Sequence, residues 1–452
     1  MTTYVDALRD YTIEDLNARF ELLNQLIPSM QAYKQARKEG LLGSLASWVC
    51  AKENLKVFYS KLTQIEQEAL QETVHSFSGV FDSCRIEAKY GSCPSLAVNY
   101  WSYEKKQQSP LAVLFNKNQK LTKDLLLILK EIVPLPKNTT IKSYENPPTK
   151  FVVPESDRDE PAELDLIIHE TESAALADVV SMFRLCEQSV VKVGPTTGNI
   201  ASASAIKTRE LLHAGDFYAA NVLPEDECDI HMGVLGIRSF AWPHILMGGK
   251  LAKNENGKLI LSRQGAKAFQ SPPQEVIRLL WAAWLENNLF HEFSRIDMIA
   301  GQKAKKNPLH PASIGRRALA KGLAQIPSGK WIPIDDFFKF LIASGQGFDV
   351  IKDPCALYLE DREYGNFGYN HVTWDHLNGR FARAFLLEYA ATLGIIDVCL
   401  TVPWESVTDH HNLCGADNLT ALSRYDGLKY FRLTPLGEWI LGTKDSYEIK
   451  IQ

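Results

Sequence analysis

Two eleven-residue segments of this chain share one pattern, and this repeat limits the possible folds more than any other sequence feature. The first segment starts at Leu259 and runs LILSRQGAKAF, and the second starts at Phe431 and runs FRLTPLGEWIL. In each, an apolar residue and one variable residue precede a leucine, a Ser or Thr follows, and a glycine stands three residues after it, at Gly265 and Gly437. A Ser or Thr in this position favours a helix start, because its side-chain oxygen caps free backbone amides. The pattern therefore predicts, twice, a strand that leads directly into a capped helix.

A turn and a strand are predicted in front of each helix. Before the first helix, residues 251–253 and 258–261 are strand-like, and the turn between them ends in an Asn-Gly pair at 256–257, which readily adopts positive φ. Before the second, an Asp-Gly turn precedes the strand-like residues 428–433, and Pro435 takes the first helical position, where its missing amide proton costs nothing. Strand, turn, strand and capped helix is the order in which the wing of a winged helix is built. We therefore expect a repeated winged-helix module.

Helical patterns dominate the first third of the chain. Thr12 precedes apolar residues at helical spacing, and Thr63 with Glu66 three residues later forms the signature of a capping box. Residues 63–90 predict two helices joined by a tight turn, which is either a helix-turn-helix or a plain helical hairpin.

The predicted fold class is mainly α with small β-hairpin wings, an α+β protein with several winged-helix or helix-turn-helix units. A chain of 452 residues corresponds to about three domains. Residues 137–163 are rich in proline and acidic side chains, as is typical of a solvated linker. We therefore expect an N-terminal helical domain at 1–150, a central winged-helix domain at 151–300 and a C-terminal winged-helix domain at 301–452.

The sequence lacks the short motifs of common catalytic sites. No phosphate-binding loop with a lysine, no Gly-x-Ser-x-Gly elbow and no Cys-x-x-Cys pair occurs, and neither His169-Glu170 nor His291-Glu292 is completed by the second histidine of a zinc helix. We expect no catalytic residue, no metal site and no cofactor. The eight scattered cysteines favour reduced thiols, and the absence of a signal peptide or a long apolar run favours a cytoplasmic protein without membrane contact.

The charge distribution indicates a nucleic-acid partner. The net charge is −5, yet residues 298–334 contain no Asp or Glu. A local positive strip neutralises phosphates and releases their counterions without recognising sequence. The predicted phosphate contacts in this strip are Lys303, Lys305, Lys306, Arg316, Arg317 and Lys321. The alternative is a solvated face, or one that pairs with carboxylates of this chain or of a partner.

Two further groups of basic residues fit the same interface. Lys253, Lys258 and Arg263 lie on or beside the first predicted wing. Residues 374–393 predict a long helix on which His376, Arg380 and Arg383 share one face, while Leu377, Phe381 and Ala384 face the core. A recognition helix carries its DNA contacts on such a face, although plain solvent exposure explains the pattern equally well.

Several segments resemble a known family. Residues 211–218, 237–242, 385–397 and 425–437 (LLHAGDFY, IRSFAW, FLLEYAATLGIID and YDGLKYFRLTPLG) are similar to the helicase-associated, winged-helix region of bacterial XPB-type helicases. The resemblance implies association with nucleic acid or with a helicase. Because the motor motifs are absent, it also implies that any ATP-driven unwinding comes from another polypeptide.

These observations predict a non-catalytic accessory or targeting subunit that binds duplex or single-stranded DNA and works with a separate helicase or nuclease in DNA repair or defence. Two alternatives remain open. The chain could be a protein-interaction scaffold that uses winged helices as subunit contacts, or a metal-dependent nuclease whose site is assembled from residues far apart in the sequence.

Overall fold

The computed structural model describes residues 3–28, 37–97, 108–153, 162–218, 236–303, 306–370, 372–416 and 419–449. The chain divides into two compact units, one formed by 1–140 with 342–345 and the other by 141–341 with 346–452. Each unit has its own hydrophobic core. Helices make up most of the secondary structure and the strands are short, so the protein belongs to the α+β class and is mainly helical, as predicted.

The first unit is helical. Its helices are α1 (Tyr4–Leu8), α2 (Ile13–Leu26), α3 (Lys38–Val49), α4 (Lys52–Lys61), α5 (Gln64–His75), α6 (Ser83–Tyr90) and α7 (Lys123–Ile132), with a 3-10 helix at Pro110–Leu114. The predicted starts of α2 and α5 are confirmed. Thr12 and Thr63 each form a capping box, which satisfies amides that a helix N-terminus would otherwise leave free.

The second unit begins with three short strands. β1 (Lys150–Val152) and β2 (Glu163–Asp165) pair as an antiparallel ribbon. β3 (Ile167–His169) pairs instead with a strand from the far end of the chain. No helix in the described ranges has both the length and the apolar content needed to cross a bilayer.

A first arrangement of helices around a small sheet follows. It consists of α8 (Glu172–Glu187), an extended segment at 191–193, α9 (Ser202–Leu211), α10 (Arg238–Gly248), β4 (Ala252–Glu255), β5 (Lys258–Leu261) and α11 (Arg263–Ala268). β4 and β5 form the predicted hairpin, with both turn residues, Asn256 and Gly257, at positive φ. The extended segment pairs antiparallel with β5 through a bridge between Lys192 and Lys258.

After α12 (Pro273–Glu286), the same order of elements recurs. It runs α13 (Ala312–Leu323), β6 (Ile332–Pro333), α14 (Ile334–Ala343), α15, β7 (Ile396–Leu400), β8 (Leu428–Leu433) and α16 (Pro435–Ile440). We use α15 for three consecutive helical segments, Asp375–Gly379 and Phe385–Ala390 with π geometry and Arg380–Ala384 with α geometry. The strands form an antiparallel sheet of order β3-β7-β8-β6, so here too the first strand of the set pairs with the last.

The two repeated segments have the same local geometry. The side-chain oxygens of Ser262 and Thr434 each accept a hydrogen bond from the amide of the glycine three residues later, at 2.9 Å in both cases. A Cβ on Gly265 would lie 1.9 Å from the Leu251 carbonyl oxygen, and one on Gly437 would lie 2.0 Å from that of Ile395. Each helix start is therefore packed against the backbone of the preceding strand region, which leaves no room for a side chain. The predicted strand-to-capped-helix junctions are confirmed.

Candidate nucleic-acid interface

The basic strip predicted from residues 298–334 is not one continuous surface. Lys303, Lys306 and Lys321 are exposed, while Lys305 lies outside the described residues. Arg317 is exposed but pairs with Glu286, with Nη1 at 2.9 Å from Oε2. A carboxylate at this distance offsets much of the positive potential that Arg317 was expected to add to the strip.

Arg316 does not face solvent, contrary to the expectation for the strip. Its side chain is fully buried on α13, and Nε lies 2.6 Å from Oε1 of Glu292. Its Nη2 also donates to Oε2 of Glu292 at 3.0 Å, and the other guanidinium hydrogens reach backbone carbonyl oxygens of Trp284, Asn287 and Phe290. Because burying an arginine is costly and this cost falls when its charge is paired and its donors are satisfied, these contacts hold Arg316 in the interior.

The predicted polar face of the long helix is wrong. His376, Arg380 and Arg383 on α15 are 3%, 0% and 3% exposed. Leu377, Phe381 and Ala384 are buried as expected, but the opposite side of the helix is covered as well. Because α15 is buried on all sides, its polar residues form internal contacts and cannot reach a DNA groove.

Carboxylates of the same molecule hold the α15 cations. Arg380 donates to both oxygens of Asp409 and lies 3.2 Å from Asp426, and Arg383 donates to Asp335 at 2.8 Å. Burial alone would raise the pKa of the Asp409 carboxyl, but the charge and hydrogen bonds of Arg380 hold it well below its usual range.

His376 completes this network through both of its ring nitrogens. Its Nδ1 accepts from the amide of Thr373 at 2.8 Å, so its Nε2 is the nitrogen that donates to the carbonyl oxygen of Asp409, at 2.9 Å. Asp409 belongs to the long β7–β8 connection, so these bonds pin that connection onto α15. We call the two sets of elements, α8 to α11 and α13 to α16, the first copy and the second copy. The second copy therefore has no free hairpin between β7 and β8.

The third helix of the first copy is also inaccessible. Every residue of α10 from Arg238 to Leu246 is buried. The helix packs against α9, α12, β4 and α15. The third helix of each copy, α10 in the first and α15 in the second, is therefore buried.

A solvent-facing group of lysines remains on the sheet of the first copy. We call residues 191–193, β5 and β4 the basic sheet. Lys192 and Lys258 are direct cross-strand partners, so their side chains lie on the same face, and both are exposed. Leu259 and Val191 point to the opposite face and are buried. The sheet therefore separates a hydrophobic inner side from a basic outer side.

The carboxylate on this face is already engaged. Glu255 is the cross-strand partner of Lys258 on β4, but its Oε1 pairs with Lys253 at 2.9 Å. Within the described ranges, neither Lys192 nor Lys258 has a carboxylate within 4 Å. Arg263, at the first position of α11, is likewise exposed without an ion pair to any described residue.

Lys192 was missed by the sequence analysis, although a signal was present. The residues Val191, Lys192 and Val193 alternate apolar, charged and apolar, which is the pattern of a half-buried strand whose middle residue faces solvent. What the sequence could not supply was the partner of this strand. The bridge to Lys258 spans 66 residues and depends on how α9 and α10 fold between them.

The described residues contain no group of three or more His, Cys, Asp or Glu side chains placed to hold a metal ion. No known protein family matches the sequence. No curated protein is significantly similar to it. No solved structure matches its fold.

Proposed function

We propose that this chain is a non-catalytic DNA-binding subunit that holds the phosphate backbone on the outer face of the basic sheet and serves a separate helicase or nuclease. The observation that carries the proposal is the direct pairing of exposed Lys192 and Lys258. Two like charges opposite each other on neighbouring strands destabilise a sheet slightly. A bound phosphate between them would turn this repulsion into attraction.

The arrangement of elements supports this assignment. In both copies the order is helix, strand, helix, helix, strand, strand, and the first strand pairs with the last. This order and pairing match a winged helix, and we propose that both copies are winged-helix units. In such a unit the hairpin after the third helix is the wing, so the basic sheet of the first copy would contact DNA beside the groove.

The binding mode follows from which parts are buried. In winged-helix and helix-turn-helix proteins, base recognition depends on a helix that enters the major groove. The helices at that position, α10 and α15, are enclosed by protein. Contacts from the basic sheet would reach phosphates, which position a protein on DNA but carry no sequence information. We therefore propose binding that is independent of sequence and strongly dependent on salt.

Fluorescence anisotropy tests this proposal. A labelled duplex of about 20 base pairs is titrated with the full chain at about 50 and 200 mM salt, alongside a single strand of the same sequence. We expect duplex binding that weakens with salt. In the double variant Lys192→Glu/Lys258→Glu, the slope of log K against log salt should fall by about 2, since each lost phosphate contact removes about 0.9.

A matched control separates local contact from net charge. The double variant Lys123→Glu/Lys130→Glu changes the charge equally at exposed positions on α7 in the first unit. It should bind the duplex as the unmodified chain does. Equal weakening in both double variants would show only a net-charge effect. The absence of any salt-sensitive binding would overturn the proposal in favour of a protein-interaction scaffold, to which the enclosure of α10 and α15 is equally suited.

A further inference from the structure

The first unit contains a solvent-open cavity of about 540 Å³ between the N-terminal part of α2 and the loop that follows the 3-10 helix. Cavities of this volume are in the range that small-molecule sites occupy. Its lining combines polar residues, among them Tyr11, Arg19 and Lys117, with apolar residues, among them Leu22, Leu96 and Ala112. The cavity belongs to the first unit alone, so nothing about it depends on the function proposed above.

Arg19 gives the cavity a buried positive charge. Its side chain is on the core side of α2 and the residue is 8% exposed. Its guanidinium donates to the carbonyl oxygens of Ala112, Val113 and Phe115 at 2.8 to 2.9 Å. Within the described part of the chain no carboxylate pairs with it. Carbonyl oxygens satisfy its donors, but they do not neutralise its charge.

Lys117 adds a second cation beside the first. The Arg19 Cζ atom lies 4.2 Å and the Lys117 Nζ atom 5.2 Å from the centroid of the Tyr11 ring. Two cations that share one ring repel each other across a short distance, and the ring compensates this only partly. An anion in the cavity would be attracted by both.

The lining also retains an unused hydrogen-bond donor. The Oδ1 atom of Asn116 accepts from the amides of Asn118 and Lys120, at 2.9 and 3.0 Å, which fixes the loop that carries Lys117. The amide NH2 of Asn116 has no partner among the residues that the structure describes. Asp15 is the one acidic residue among the described residues of the lining, and one of its oxygens accepts from the amide of Thr12 at the start of α2. The charges of the described lining residues therefore sum to about +1, which suits an anion of low charge.

We propose that this cavity binds a small organic anion, whose carboxylate or phosphate group meets Lys117 and Asn116 and is attracted by the charge of Arg19. The apolar part of the ligand then packs against Leu22 and Leu96, which belong to the apolar lining of the cavity. The pinned loop and the buried guanidinium hold the charged groups in place before the ligand arrives, which lowers the entropy cost of binding.

Three probes with one ring and different head groups test the proposal on the full chain. Benzoate carries a carboxylate, phenyl phosphate carries a phosphate, and benzyl alcohol is neutral. Saturation-transfer NMR with each probe at up to about 10 mM detects even millimolar affinity. We expect saturable binding of at least one anion and none of benzyl alcohol, and the anion that binds more tightly identifies the preferred head group.

Two charge-reversal variants three residues apart complete the experiment. Lys117→Glu reverses a cation of the lining, and Lys120→Glu makes the same change at an exposed position outside it. Lys117→Glu should weaken anion binding at least about tenfold, whereas Lys120→Glu should leave it unchanged, with equal melting temperatures showing that both fold. The proposal is overturned if no anion binds, if benzyl alcohol binds as well as the anions, or if both variants weaken binding equally.

Discussion

Arg316 and Glu292 form an ion pair in which neither side chain reaches solvent, with Nε 2.6 Å from Oε1. The indole nitrogen of Trp284 donates to the same carboxylate at 3.1 Å, and its ring lies under the guanidinium, 4.4 Å from Cζ. The pair thus joins α12, α13 and the short 3-10 helix at Glu292–Arg295. It holds in the interior an arginine of the segment in which the charge distribution predicts phosphate contacts.

Removing either partner of this pair should destabilise the protein strongly. Arg316→Met or Glu292→Met leaves one buried charge without compensation, and we expect each to lower the free energy of unfolding by about 3–5 kcal/mol. The double variant should lose less than the sum of the two, because no charge is then left unpaired. Urea denaturation followed by circular dichroism measures all three values.

The neighbouring residue provides the control. Arg317→Met removes an exposed pair with Glu286 and should cost less than about 1 kcal/mol. If Arg316→Met proved no more costly than Arg317→Met, the interior ion pair would not stabilise the fold as the geometry indicates.

These two arginines show how far sequence reasoning reaches. Arg316 precedes Leu319 and Leu323 by three and seven residues, so helical spacing already places it on the apolar face of α13. The absence of Asp and Glu from residues 298–334 nevertheless led to the prediction that Arg316 contacts phosphate. The partner Glu292, 24 residues earlier, was not predictable, because the contact depends on how α12 and α13 pack.

The predicted solvent exposure of one face of α15 is wrong for a different reason. The spacing of Leu377, Phe381 and Ala384 correctly identified one buried face, and an amphipathic pattern normally implies that the opposite face is solvated. That inference holds only if no other part of the protein packs against the opposite face of the helix. Here the long β7–β8 connection folds over it, and a pattern within one helix contains no information about a distant loop. Local features such as the caps at Ser262 and Thr434 were predictable because their cause lies within a few residues.

The two glycines of the repeat should be intolerant of alanine. A Cβ at Gly265 or Gly437 would approach a backbone carbonyl oxygen to about 2 Å, and backbone cannot move aside as a flexible side chain can. We expect Gly265→Ala and Gly437→Ala each to destabilise the protein by about 1–3 kcal/mol, as overpacking does. Thermal unfolding monitored by calorimetry gives the comparison.

A third glycine tests whether lack of space is the cause. Gly43 lies in the exposed part of α3, and a Cβ there would meet no atom within 4 Å. Gly43→Ala should stabilise the protein by about 0.5–1 kcal/mol, because alanine favours helix. Destabilisation of the same size at all three positions would contradict the proposed close approach.

Asp409 should make the protein more stable at neutral pH than in acid. The pKa of this carboxyl is held low in the folded state by Arg380, against the effect of burial, and returns to about 4 when the chain unfolds. Its stabilising contribution is therefore complete above about pH 5 and declines as the pH falls further. Relative to Asp409→Asn, the unmodified protein should lose its advantage by about 1.4 kcal/mol per pH unit below about pH 4.

Urea titrations at about pH 7, 5 and 3 measure this difference, and comparing single variants cancels the effects of the other carboxyls. Asp353→Asn is the control, since Asp353 is exposed and its Oδ1 caps an amide that asparagine can also cap. A constant gap between the unmodified protein and Asp409→Asn across the pH range would show that the ion pair with Arg380 contributes nothing through its charge.

Lys429 should also make the protein more stable as the pH rises, but on the alkaline side of neutrality. The residue is 4% exposed, its Nζ donates to the carbonyl oxygen of Ser406 at 2.5 Å, and it lies 4.3 Å from the centroid of the Phe151 ring. Burial, together with the positive charge of Arg383, lowers the pKa of this amine to about 7, although the carboxylate of Asp335 acts in the opposite direction.

Because a lysine in the unfolded chain has a pKa near 10.4, the unfolded state binds more protons than the folded state between about pH 7 and 10. The stability contributed by this residue must therefore rise with pH across that window.

The variant Lys429→Met removes this titratable amine. The stability of the unmodified protein relative to this variant should increase by up to about 1.4 kcal/mol per pH unit from about pH 7 to 9.5, as measured by urea denaturation. Lys339→Met, at an exposed position on α14, should show no such trend. Parallel stability curves for the unmodified protein and Lys429→Met would mean that the amine is solvated enough to keep its charge.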